Sequence, residues 1–217
     1  MRGRMNLRLL WLTVAAILII FAGKCAHADY KIAVIDTGIN QHLTDAPICN
    51  AARNDLHPLF HGTNVADLIY RNAGDGGYCI ISFRAFDPNF NPAEYTNALI
   101  TLARIKPDII NLSLAGTVYS SYEASLIKKL LDQGIIIFAA AGNVHHDLDK
   151  ACDIYPACDD PRIVIVGTYD NNSSYGSRVR IKTRRSTHCI GGKCLIGTSQ
   201  ATAAETGRFI RFLKEHE

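Results

Sequence analysis

Asp36, His61, Asn143 and Ser199 are the residues of this 217-residue chain whose types and spacing could carry out a reaction together. Ser199 lies in Gly197-Thr198-Ser199-Gln200-Ala201-Thr202-Ala203, where small and hydroxyl residues lead into helix formers. The stretch predicts a sharp turn opening a helix, with Ser199 in its first turn. A hydroxyl there lies close to unpaired backbone N–H groups and the positive end of the helix dipole, which stabilise developing negative charge. Taken alone, the same residues also read as a helix cap. A hydroxyl nucleophile needs a base, and the base needs an acid to orient it. His61 opens a predicted helix that continues to Tyr70, with Val65, Leu68 and Ile69 on one face. Asp36 ends a predicted strand from Tyr30 to Ile35, and Asn143, whose amide can donate to an oxyanion, follows the most apolar of the predicted strands.

Elements of one kind must hold all four. Apolar runs recur at Tyr30 to Ile35, Cys79 to Phe86, Asp108 to Leu114, Ile135 to Ala141 and Ile163 to Val166. Their apolarity is continuous rather than alternating, which predicts strands buried on both faces of a parallel sheet. Helical stretches at Ala93 to Ile105 and Tyr122 to Gln133, the second closed by Gly134, alternate with them. The fold class expected is α/β, a mostly parallel sheet with helices on both faces in a single domain. Such a sheet binds ligands at the carboxyl ends of its strands, where Asp36 lies, and it brings the four candidates towards one edge.

The blocks around these residues resemble the subtilisin-like serine proteases. Ala33-Val34-Ile35-Asp36-Thr37-Gly38 surrounds the acid, His61-Gly62-Thr63 the base and Gly197-Thr198-Ser199 the nucleophile turn. Ile110-Asn111-Leu112-Ser113-Leu114 is similar to the family's substrate-binding strand, and Ala139-Ala140-Ala141-Gly142-Asn143 to its oxyanion segment. Tyr155-Pro156-Ala157 ahead of Ile163-Val164-Ile165-Val166-Gly167 extends the match. The order Asp, His, Ser is that of subtilisin; an α/β-hydrolase would run Ser, Asp, His within Gly-x-Ser-x-Gly, and here Gln200 is followed by Ala201. The resemblance implies a three-layer fold and a serine endopeptidase that needs no cofactor for its chemistry, with structural calcium left open. By resemblance Ser199 attacks the scissile carbonyl, His61 moves the proton, Asp36 orients His61, and Asn143 with the Ser199 N–H holds the oxyanion. Ser113, Leu114, Ala115 and Gly116 pair with the substrate backbone, and Ala141 and Gly142 line the primary specificity pocket. The rival expectation is a degenerate fold of this family, acting as a peptide-binding or regulatory protein.

The sequence departs from the family pattern in several places. Asn64 stands where a second histidine is common, Asp67 where glycine is frequent, and Gln200 where methionine is usual. The N-terminus reads as a secretory signal peptide over residues 1–28: Arg2, Arg4 and Arg8, an apolar run from Leu9 to Gly23, then Ala26-His27-Ala28. Lys24 before Cys25 argues against lipoprotein attachment. Cleavage after Ala28 leaves residues 29–217 as a peptidase domain with no room for a propeptide, so the expectation is either folding without one, helped by the disulfides, or control by a separate inhibitor or regulator. The chain holds 23 basic and 20 acidic residues, and four of the basic ones fall in the signal segment without an acid. The remainder is near neutral, which points to no nucleic-acid partner and to membrane contact only through an uncleaved signal segment. Polypeptide is the expected substrate, the chain is expected to act as a monomer, and the site of action is the periplasm or extracellular space.

Six of the seven cysteines, Cys49, Cys79, Cys152, Cys158, Cys189 and Cys194, follow the signal segment and read as disulfides. Pairing Cys152 with Cys158 and Cys189 with Cys194 closes short loops and leaves Cys49 with Cys79, although other connectivities stay open. No metal site is expected: His145-His146-Asp147 reads as a solvated loop. Arg178, Arg180 and Lys182 alternate with Val179 and Ile181, which predicts a strand with one solvated face.

Overall fold

The apolar runs become strands β1 (Tyr30–Asp36), β2 (Tyr78–Arg84), β3 (Ile109–Leu112), β4 (Ile136–Ala140) and β5 (Val164–Thr168) of a computed structural model that describes residues 30–49, 60–184 and 187–216. The expected signal segment lies outside the described residues. The basic stretch forms β6 (Val179–Thr183), with Val179 buried and Arg180 and Lys182 exposed, so the predicted solvated face is present. All six strands pair in parallel in the order β2-β1-β3-β4-β5-β6. Charge on the exposed face of the edge strand β6 discourages pairing with a further strand.

Helices α1 (His61–Ala73), α2 (Pro92–Ile105), α3 (Ser121–Asp132) and α4 (Thr198–Glu215) cover the sheet. Successive side chains of a strand point to opposite faces. Ala33 and Ile35 of β1 therefore pack with Leu99 and Leu102 of α2 and with Ile127 and Leu130 of α3. Ile32 and Val34 pack on the other side with Val65 and Ile69 of α1 and with Ala203 and Ile210 of α4. Each of the buried valine, leucine and isoleucine side chains contributes about 1.5–3 kcal/mol of burial free energy. Asn91 caps α2 through bonds from Ala93 N (3.0 Å) and Glu94 N (3.2 Å), with Pro92 in its first turn.

Strand order sets the location of the site. The chain leaves β1 for β2 on one side, and β3 then pairs with β1 on the other. Right-handed crossovers in opposite directions put α1 on one face and α2 and α3 on the other. The crevice at the carboxyl ends of β1 and β3 is thus the topological switch point, where open α/β sheets hold ligands.

The stretch around Cys189 and Cys194 is more than a closed loop. It forms an antiparallel hairpin, β7 (Thr187–Ile190) and β8 (Lys193–Ile196), with Cys189 opposite Cys194. Gly191 and Gly192 turn the hairpin at φ of 54° and 75°, the left-handed conformation that a two-residue turn demands. Disulfides join Cys49 to Cys79, Cys152 to Cys158 and Cys189 to Cys194. Among the described residues, no helix is long and apolar enough to cross a membrane.

Candidate active site

Asp36 is the last residue of β1 and is 2% exposed. Its Oδ1 accepts from Thr37 N at 2.7 Å, and His61 Nδ1 stands 2.9 Å from both carboxylate oxygens. The Nδ1 proton therefore belongs on the Asp36 side, which leaves the Nε2 lone pair free to take a proton. Burial works against a charged His61, but the Asp36 charge and hydrogen bond outweigh it and hold the imidazole above its ordinary value. Two contacts dock the start of α1 on the turn after β1. Gly62 N donates to Thr37 Oγ1 at 2.9 Å, and Asn40 N donates to Thr63 Oγ1 at 2.9 Å. The docking is close enough that a Cβ on Gly62 would lie 2.4 Å from the Gly38 carbonyl oxygen.

Ser199 is the second residue of α4. Gly197 precedes the helix at φ +149°, and a Cβ there would meet Asn143 Nδ2 at 2.9 Å, so glycine lets the Asn143 amide lie over the helix start. Thr198 N donates to Asn143 Oδ1 at 2.9 Å, which fixes the amide oxygen inward and leaves the NH2 group to donate elsewhere. The first N–H groups of α4 have no partner within the helix, and that of Ser199 is one of them. The Ser199 hydroxyl donates to the Ser113 carbonyl oxygen at 2.8 Å. Ser113 Oγ lies 2.9 Å from the Ser199 carbonyl oxygen and 2.8 Å from Asn111 Oδ1. The ends of β3 and α4 are thereby tied together.

One cleft of about 620 Å³ is lined by Asp36, His61, Ser113, Leu114, Asn143 and Ser199, among others. The structure thus brings all four chemical candidates to one concave surface. The segment 113–116 forms one wall, with a change from expectation at its end. Gly116 exchanges both backbone bonds with Tyr155, each at 2.8 Å, so its backbone is already paired. Gly142 lines the cleft, but Ala141 does not: it is fully buried in the core, and Ala140 takes its place in the lining. Strand alternation is the reason, since Ala139 and Ala141 face the core that Ala140 turns away from.

Sequence reasoning missed three features of the cleft. Ile154 lines it next to Gly142, with its Cγ2 only 3.3 Å from where a Gly142 Cβ would stand. Phe86, Phe90, Tyr95 and Glu123 line it as well. A polar chain also runs from α4 to the hairpin. Gln200 Nε2 donates to Asn64 Oδ1 (3.2 Å), Asn64 Nδ2 donates to His188 O (3.0 Å), and His188 Nε2 lies 2.7 Å from Asp67 Oδ2. Asp67 accepts further from Arg71 (2.6 Å) and Thr44 (2.9 Å). The three departures at Asn64, Asp67 and Gln200 are therefore members of one network. The sequence signal for the hairpin was Gly191-Gly192 between two cysteines; Ile154 and Glu123 reach the cleft, and His188 reaches α1, only through long-range packing. Among the described residues, no group of three His, Cys, Asp or Glu side chains could hold a metal ion. His146 instead pairs with Asp153 at 2.9 Å.

Comparison with known proteins finds the same fold elsewhere. The structure is similar to a cold-adapted subtilisin-like serine proteinase, at 23% identity and TM-score 0.69, over 88% of this chain and 78% of that one. It is similar to a lanthipeptide protease, at 16% identity and TM-score 0.71, over 88% and 75% of the two chains. It is also similar to an epidermin leader peptide processing serine protease from Staphylococcus aureus, at 19% identity and TM-score 0.66, over 88% and 66%. No curated protein sequence matches the chain. The subtilase family profile matches residues 27–209, and the chain belongs to that family of serine endopeptidases.

Proposed function

We propose that this chain is an exported endopeptidase that cleaves polypeptides through Asp36, His61 and Ser199, with Asn143 and the Ser199 N–H as the oxyanion donors. The observation that carries the reading is the convergence of the Asp36–His61 pair, the Ser199 turn and the oriented Asn143 amide on one cleft. Ser199 attacks the scissile carbonyl; His61 Nε2 takes its proton and passes it to the leaving amine. Asp36 stabilises the imidazolium formed in between. Negative charge on the former carbonyl oxygen meets the Asn143 NH2 and the start of α4.

The hydroxyl of Ser199 begins on the Ser113 carbonyl oxygen. A substrate strand added along Ser113 to Ala115 presents backbone N–H groups to that wall, and one of them displaces the hydroxyl from Ser113 O. The freed hydroxyl turns to His61. Ile154 shortens the pocket beside Gly142, so a small side chain suits the residue whose carbonyl is attacked. The signal-like residues 1–28 and the three disulfides support export.

A fluorophosphonate probe tests the reading. Labelling at Ser199 is expected in the folded protein and not in Ser199→Ala. Folded wild-type protein that stays unlabelled overturns it, and leaves a peptide-binding protein that keeps its serine hydroxyl on Ser113.

A further inference from the structure

Beyond Leu114 the cleft wall carries a charge that the cleavage chemistry does not use. Glu123 lies in the first turn of α3, where Ser120-Ser121-Tyr122-Glu123 has capping-box spacing, and Ser120 Oγ accepts from Glu123 N at 3.2 Å. The Glu123 carboxylate is drawn across to α2, where its Oε1 accepts from the Tyr95 hydroxyl at 2.9 Å. Phe86, Phe90 and Tyr95 form a row of rings with successive centroids 5.2 and 5.4 Å apart. The whole row lines the cleft together with Leu114 and Glu123.

A second carboxylate stands close by. Both oxygens of Asp159 are buried without a hydrogen-bond partner, and its charge acts on Tyr95 and is acted on by Glu123. Burial and the Glu123 charge push Asp159 up to about 7, and burial also pushes Glu123 up against the opposing Tyr95 bond. No lysine or arginine among the described residues forms an ion pair with either acid. A buried or half-buried carboxylate without a counterion is costly, and a ligand cation relieves that cost. A merely structural Glu123, tying α3 to α2 through Tyr95, needs only a carbonyl oxygen, which a glutamine would supply equally. The charge has no such role.

We propose that Glu123 is a specificity-determining residue that takes the cationic head of a substrate lysine or arginine, while Phe86, Phe90 and Leu114 pack its aliphatic stem. The two halves match the side chain: the methylene stem lies against apolar rings and the head reaches Glu123 Oε2, the oxygen that Tyr95 leaves free. The rings add cation–π attraction along the way. Because Ile154 and Gly142 border the residue at the cleaved bond, the basic residue sits elsewhere along the peptide, on the stretch that runs past Leu114. The proposal rests on the endopeptidase reading for its position in the cleft.

The test scans a single lysine through a cleaved peptide and compares each member with its norleucine counterpart, which keeps the stem and removes the charge. At one position, kcat/KM for lysine is expected to exceed that for norleucine by about tenfold. The ratio falls to about one in Glu123→Gln and inverts in Glu123→Lys. A lysine preference that persists in Glu123→Gln, or none at any position in the wild type, overturns the proposal. If the wild type cleaves no peptide, the endopeptidase reading fails by itself, and binding of the same peptides to wild type and Glu123→Gln decides the subsite. Tighter lysine binding lost in the variant supports it; equal affinities overturn it.

Discussion

Replacing Gly62 with alanine sets two effects of opposite sign against each other. Gly62 is the second residue of α1 and does not have a left-handed backbone, so alanine should gain helix propensity worth about 0.5–1 kcal/mol. The added Cβ, however, would lie 2.4 Å from the Gly38 carbonyl oxygen and 3.2 Å from Asp36 Oδ1. An ordinary contact is about 3.5 Å, so relief requires the start of α1 to retreat by about 1 Å. Forced overpacking of this kind costs about 1–3 kcal/mol, and it outweighs the propensity gain. A retreat of that size takes the 2.9 Å bond between His61 and Asp36 beyond hydrogen-bond range and loosens the Gly62 N bond to Thr37. Misplacing a catalytic group by 1 Å costs about 100-fold in rate. Gly62→Ala is therefore expected to lower Tm by about 2–8 °C and kcat by about two orders of magnitude, read by calorimetry and by peptide hydrolysis. A variant with raised Tm and a rate within about twofold of wild type would refute the claim that close docking of α1 sets the base.

The acidic limb of kcat/KM should lie above pH 6.5, because His61 must be neutral to accept a proton and Asp36 holds it above that value. In Asp36→Asn the opposing effect of burial is left alone, so the limb moves to lower pH while the rate falls by about 10⁴; a limb that stays in place contradicts the pairing. Asn143→Ala is expected to lower kcat by about 10²–10³ with little change in KM, and an effect confined to KM would remove Asn143 from the oxyanion site. Ile154→Gly should shift the preferred residue at the cleaved carbonyl from alanine towards leucine or phenylalanine, as measured with a peptide library. Asp67→Asn should cost about 1–3 kcal/mol in denaturant unfolding, since an amide cannot accept from His188, Arg71 and Thr44 together. Burial raises the Asp67 carboxyl, but Arg71, Thr44 and His188 together hold it below the ordinary range. Its contribution is therefore present above pH 3.8 and is lost as pH falls through the folded value, a loss that Asp67→Asn should not show.

The sheet was legible because residues such as Ile32 to Ile35 and Ile135 to Ala140 are apolar without interruption, which only a strand buried on both faces requires. Asp36, His61 and Ser199 were legible for a related reason. Each stands where an apolar or helical pattern begins or ends, and a parallel sheet gathers such ends. Contacts between distant elements left no such mark. The burial of Ala141 depends on which side of the sheet the chain faces just past β4, and the reach of Ile154 to Gly142 on a loop closed by Cys152 and Cys158. Nothing in the sequence around His188 marks it as the partner of Asp67, to which the hairpin carries it.

That hairpin has a mechanical consequence. β8 runs directly into Gly197 and the Ser199 turn, while His188 of β7 is clamped to α1, whose first residue is His61. Deeper in, Gly207 of α4 lies so close to α1 that a Cβ there would meet the Ile69 carbonyl oxygen at 2.4 Å. His61 and Ser199 thus ride on one two-helix unit bolted at both ends. Ser113 is tied to α4 and Gly116 to Tyr155, so any widening of the cleft is expected at the exposed residues Thr117 and Val118. On the proposed mechanism, opening of the cleft is expected to alter which peptide is chosen before it disturbs the distance over which the proton moves.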